Sequence, residues 1–227
     1  MLQTLRELFR AVSNGNNGWT RIRRRRTEIS LRTELAEIRT LLSSHSLITI
    51  ADGMVADRNL DGQFETTIAN GTTITDRWFT APDTGEERGV FEFDLSQFAP
   101  GSTVQNARIG LYVSSVTVNG TWAGPILQFS VSEGDGLISG SDGSVAGVSA
   151  GTETLLTPGY REFPLTTSAI QQFVGSKISL RMANSALNGY WATVTSLEDT
   201  LHTPPTLILD VAAPTLAVSV NPATLSE

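Results

Sequence analysis

The sequence predicts a mainly β protein: an antiparallel two-sheet, jelly-roll-like sandwich carried on an N-terminal helical extension. Three observations lead there. From residue 47 onward apolar residues recur with period two, most clearly at Val90/Phe91/Glu92/Phe93 and at Ile109/Leu111/Val113, the pattern of half-buried strands. Twenty glycines and an aromatic content of 7% suit many short strands separated by turns. Before residue 47 the apolar spacing is helical instead.

Taken in chain order, Leu2, Leu5, Leu8, Phe9 and Val12 lie on one face of a short amphipathic helix over 2–12. Arg6, Glu7 and Arg10 interrupt it, so the segment lacks the continuous apolar block of a signal peptide. SNGNNG, residues 13–18, reads as a hinge. WTRIRRRR then leads into a second helix over 27–44, with Thr27 as N-cap and Glu28 in the first turn. Its Leu31, Leu35, Ile38 and Leu42 follow 4-3-4 spacing. That spacing makes either the seam of a short coiled coil, giving a homo-oligomer and on this reading a trimer, or an amphipathic face laid against the chain's own domain.

LITIADGMV, FETTIANGTTI, GVFEFDL, ARIGLYVSSVTV, ILQFSVSEG, YREFPL, KISLRMAN and TLILDVA are the expected strands, eight or nine in all. One short helix intervenes at TTSAIQQFVGS, with Thr167 as cap, Ile170, Phe173 and Val174 inward, and Gly175 as its stop. The expected divisions are a helical stem at 1–46, a β-sandwich at 47–211, and a linker with one extra strand at 212–227 that opens a further immunoglobulin-like domain or pairs with a neighbouring subunit.

Charge is divided unevenly. Residues 1–45 hold nine arginines against four glutamates, a balance of +5; the remainder holds seven basic and nineteen acidic residues, −12, which returns the net −7. Arg21, Arg23, Arg24, Arg25 and Arg26 concentrate the positive charge and predict docking on an acidic protein surface of a larger assembly. A nucleic-acid role is disfavoured, because an acidic body repels phosphate. No apolar run approaches the ~20 residues of a membrane span, so no membrane partner is expected. The absence of cysteine excludes disulfides, thiolate metal sites and cysteine nucleophiles.

Catalytic candidates are few. Glu133, Asp135 and Asp142 sit in a Gly/Ser loop without the apolar surroundings that would tune a general acid, and His45 and His202 have no partners at motif spacing. No enzyme is expected. Asp52, Asp57 and Asp61 in ADGMVADRNLDG are oxygen donors that suit calcium or simply cap turns, and no other cofactor is indicated. Trp78, Trp122, Tyr190 and Trp191 all neighbour turns and are candidates for stacking on sugar rings, Trp122 foremost because Gly120 and Gly124 flank it.

One stretch carries a family likeness. RGVFEFDLSQFAPGSTVQNARIGLYVSS resembles the middle of a DNRLRE-type domain, where Phe-Asp-Leu-Ser leads through Pro-Gly-x-x-Val to a second strand. ADGMVADRNLDGQFETTIANG, FPLTTSAIQQFVGSKISLRMAN and SLEDTLHTPPTLILDV follow in the family's order, so the likeness spans roughly 49–211. It implies a β-sandwich similar to carbohydrate-binding modules of large extracellular proteins. The combined expectation is a non-enzymatic structural and adhesive subunit: a fibre or appendage of a phage-like virion, docked to its other structural proteins and facing polysaccharide. The alternative is a carbohydrate-binding module of a secreted, cell-surface protein, which needs an export signal unlike MLQTLRELFRAVSNGNNGW.

Overall fold

The computed structural model describes residues 42–69, 73–79, 85–117, 124–155, 157–185 and 190–214. The expected helices up to residue 41, with Arg21–Arg26, Leu31, Leu35 and Ile38, lie outside the described residues, as do Trp122 and the tail from 215. Among the described residues the chain is mainly β, with antiparallel pairing throughout and no helix long and apolar enough to cross a membrane.

Leu42 corrects an expectation. It does not end a helical seam but opens β1 (Leu42–Ile48), which pairs residue for residue with β12 (Thr206–Ala212). Strand pairing is therefore already present at 42, ahead of the expected boundary at 47. The physical reason is that β12 offers a full ladder of backbone partners to LSSHSLI, a serine-rich stretch whose side chains compete with helical backbone hydrogen bonds.

The expected single strand LITIADGMV is broken at Thr49. The Thr49 N–H donates to the Pro205 carbonyl (3.0 Å), the Ile50 N–H to the Glu92 carbonyl (2.8 Å), and the buried Thr49 hydroxyl reaches the Ala51 and Glu92 carbonyls at 2.7 and 2.9 Å. At this point the chain leaves β12 and starts β2 (Ala51–Asp57), which pairs with β5 (Gly85–Asp94). FETTIANGTTI likewise divides into β3 (Thr66–Ala69) and β4 (Thr73–Phe79).

Next come β6 (Thr103–Thr117), β7 (Ile126–Glu133), α1 (Gly140–Ser144), β8 (Val148–Thr154), β9 (Gly159–Pro164), α2 (Thr167–Gln171), β10 (Lys177–Asn184) and β11 (Trp191–Thr195). Helix α1 and strands β8 and β11 were not among the expected elements, and the N-cap of α2 is Thr166, one residue earlier than expected.

The registers build two antiparallel sheets. One runs β3-β2-β5-β10-β7-β8, the other β1-β12-β6-β9. β4 and β11 pair with each other and join the start of β5 to the end of β6, so the two sheets are hydrogen-bonded into one continuous array. The opening motif of the family likeness is the β5–β6 crossing between sheets. Asp94 Oδ1 accepts the Ser96 N–H (2.8 Å), Ser102 N–H closes on the Ala99 carbonyl (3.0 Å), and Gly101 takes a positive φ of 86° that disfavours a side chain.

Alternation then sorts the side chains. Phe91 and Phe93 of β5, Ile178, Leu180 and Met182 of β10, and Leu127, Phe129 and Val131 of β7 point inward from the first sheet. They meet Ile109, Leu111 and Val113 of β6 and Leu207 and Leu209 of β12 from the second. Ile170 of α2 is wholly buried against this core, with Phe173 and Val174 packed at its margin.

Candidate functional site: an arginine-floored groove

The outward side of β5 is not solvent-washed, although the sequence alternates there. Val90 packs with Val55 and Phe64 in a second small core, with Ile138 at its edge. The cover is the turn after β2 together with the segment carrying α1. Phe64 lies against Gly143, where a Cβ would fall 2.7 Å from the ring's Cδ2, so only a glycine admits this approach.

Two arginines reach the floor beside this cover. Arg88 of β5 stands over the Phe64 ring, 4.5 Å from its centroid, and grips Glu86 with two parallel bonds, Nε–Oε1 2.6 Å and Nη2–Oε2 2.8 Å. Its Nη1 also donates to the Gly143 carbonyl. Arg181 of β10 donates from Nη1 to the carbonyls of Gly143 and Val145, 2.8 Å each. Among the described residues no carboxylate pairs with Arg181, and its buried Nε has no partner. Burial and the adjacent Arg88 charge press its pKa below the usual guanidinium range, and Glu86 opposes this only partly.

The arginines end in an open groove of about 440 Å³. Gln128 and Ser130 of β7 and Ser149 and Thr152 of β8 form one wall, while Ala183 and Asn184 continue the β10 side. With Glu86 neutralised by Arg88, one positive charge is left over in an otherwise acidic body. Amide, hydroxyl and guanidinium groups converge on a cleft whose lining is more polar than apolar. This is chemistry suited to a hydroxyl-rich ligand with an anionic substituent, not to an apolar one.

The sequence-predicted residues fall unevenly around it. Asn184, which lines the groove, donates from Nδ2 to the Tyr190 carbonyl at 2.7 Å, so Tyr190 is tied to one end of the site. Trp191 opens β11, opposite Arg77 of β4 and Thr117 of β6, and Trp78 occupies the β4 position opposite Glu86. None of the groove's own polar residues was singled out by the sequence.

The aspartates separate. Asp57 and Asp61 gather with Glu65, but not with Asp52. Asp57 accepts N–H bonds from Asn59, Leu60 and Gly62 at 3.2, 2.7 and 2.8 Å, and Leu60 has a positive φ of 61°. Asp61 accepts the Gln63 N–H (2.8 Å) and the Asn59 amide (3.1 Å). The same residues hold a turn, and one carboxylate oxygen from each of Asp57, Asp61 and Glu65 lies within 4.8 Å of the others.

Asp52 lies at the other end of β2, buried, where its Oδ2 accepts the Leu197 N–H at 2.7 Å. Burial raises its pKa to about 7; the Leu197 bond opposes this, and the neighbouring Glu198 carboxyl adds to it. Glu92, wholly buried on the outward side of β5, is raised by burial to about 7 against the bonds from Ser179 and Gly136. Glu133 is exposed at the end of β7. Asp135 accepts the Leu137 N–H (2.7 Å), and Asp142 accepts the Ser139 N–H (2.7 Å) in the capping box of α1. Neither a scan against protein-family models nor a search of curated proteins finds a match to this chain.

Proposed function

We propose that this protein is a non-enzymatic adhesive subunit whose jelly-roll-like sandwich binds a glycan in the arginine-floored groove. The observation that carries this reading is Arg181, a guanidinium held among the described residues by backbone carbonyls at the floor of a cleft walled by Gln128, Ser130, Ser149 and Thr152. Sugar hydroxyls match such a wall, and a carboxylate or sulfate on the sugar would neutralise Arg181. The DNRLRE-type likeness of residues 49–211 agrees with it. Asp135 and Asp142 spend their oxygens on turns, which favours binding over glycoside hydrolysis.

The arginines at 21–26 supply the second half of the proposal: an N-terminal stem docks the sandwich onto an acidic surface of a larger assembly, for which a phage-like particle with this chain as fibre or appendage is the best fit. Binding of the purified chain to an array of neutral and acidic polysaccharides tests the groove. An acidic polymer should be retained by the wild type and lost on Arg181→Gln. Equal retention by both proteins, or retention of nothing, rejects the reading.

A further inference from the structure

The opposite face of the molecule carries a different set of side chains. On the outward side of β6, Tyr112 stands directly across from Tyr160 of β9. Tyr160 is 42% exposed, and its phenol end lies over Gly110, where a Cβ would come within 3.0 Å of Cζ. The bare glycine is what lets the ring lie across the sheet. His202, from the segment entering β12, stacks on Tyr112 with centroids 3.9 Å apart and planes 27° apart. Its Nδ1 is 2.8 Å from Asp199 Oδ2, and Asp199 is itself fixed by the Leu201 N–H at 2.7 Å.

We infer that the outer face of the β1-β12-β6-β9 sheet bears a carbohydrate-stacking platform separate from the groove, formed by Tyr160 and by His202 seated on Tyr112. A pyranose presents a face of C–H groups with hydroxyls around its edge. The platform mirrors this, with held rings at its centre and polar groups at its rim. The Arg108–Glu162 pair, 2.7 Å apart with both side chains 36% exposed, borders Tyr160, and Asp199 borders His202.

Two other occupants fit less well. A protein partner needs a contiguous apolar patch at the centre of its interface, and here the Arg108–Glu162 pair and Asp199 stand beside the rings, although Leu201 next to His202 is exposed. A nucleic acid would bring its phosphates against Glu162, Asp199 and Asp210. A neutral sugar face meets neither objection. Because His202 and Tyr160 are already positioned, little side-chain freedom is lost on binding.

The inference does not rest on the groove, and one experiment separates the two. The full chain is run in native gels cast with hydroxyethylcellulose, dextran or galactomannan, all neutral, and in parallel gels with polygalacturonate. At least one neutral polymer should retard the wild type. Tyr160→Ala and His202→Ala should each weaken that retardation about tenfold, the equivalent of ~1.4 kcal/mol. Tyr160→Phe, which keeps the ring, should retain it, and Arg181→Gln should leave it unchanged. Should Tyr160→Ala misfold, the ultraviolet difference spectrum of wild-type tyrosine on titration with the retained polymer gives the same reading. The platform is overturned if no neutral polymer retards the wild type, or if the alanine variants migrate as wild type does. Unchanged migration of Arg181→Gln in polygalacturonate would instead overturn the groove and leave the platform standing.

Discussion

Arg88 and Arg181 donate to the same backbone oxygen, the carbonyl of Gly143. Two guanidinium groups are thereby brought together across neighbouring strands β5 and β10, and among the described residues Glu86 is the carboxylate that offsets them. Like charges this close are tolerable only while that carboxylate and the carbonyls remain in place.

Glu86→Gln should accordingly act in two opposite directions. Stability should fall by about 2–4 kcal/mol, since Glu86 is buried and its removal leaves Arg88 without a counter-ion. The groove's affinity for an anionic sugar should rise, because its surplus charge grows. Urea denaturation and binding to an acidic polysaccharide, measured on the same preparation, check both. A fall in both quantities would show that the groove collapses without Glu86.

Gly143→Ala should destabilise the protein by about 1–3 kcal/mol through its collision with Phe64. It should also weaken anion binding by displacing the carbonyl that holds both arginines. Combining it with Phe64→Leu should recover part of the loss, giving a non-additive double-mutant cycle. Strict additivity in chemical denaturation would mean that the two residues do not press on one another.

The pH dependence follows from Asp52 and Glu92. Both carboxyls have folded-state pKa values raised to about 7 from ordinary values of 3.8 and 4.5, chiefly by burial. Between those limits the folded chain holds more protons than the unfolded one, so stability falls as pH rises. The contribution is fully present below the ordinary carboxylate range and lost as pH passes through about 7. The urea midpoint should be lower at pH 8 than at pH 5, and Asp52→Asn and Glu92→Gln should each flatten that slope. A midpoint that rises over this range would contradict the burial of both groups.

Replacing Arg23, Arg24, Arg25 and Arg26 by Gln removes most of the positive segment and changes no residue of the β body. The variant should fail to join its assembly, while melting temperature and polysaccharide binding stay at wild-type values. Normal incorporation, followed by sedimentation of particles from cells, would leave those arginines without a docking role.

Much of the β body is legible in the chain itself. Ile178, Leu180 and Met182 alternate with Lys177, Ser179 and Arg181, and the structure sends the first set into the core and the second outward. Alternation is a local property, enforced by the pleat, and can be read from any short window. The turn at Pro100–Gly101 and the short helix around Ile170 are equally local, set by backbone preferences of a few neighbouring residues.

The candidate site is not local, which is why the sequence conceals it. Arg88 and Arg181 occupy outward positions of ordinary-looking strands, indistinguishable in a window from solvated surface charge. Only the pairing of β5 with β10, and the covering of both by the α1 segment, turns them into the floor of a groove. Tyr112, Tyr160 and His202 meet for the same reason, through β6–β9 pairing and the loop before β12. Leu42 makes the converse point, since its helical spacing is outweighed by the ladder that distant β12 supplies. Strand identity and facing come from nearest-neighbour geometry. The partners across each strand, and the burial that gives a charge its chemistry, come from contacts between segments far apart in the chain, where loop closure and packing decide the outcome.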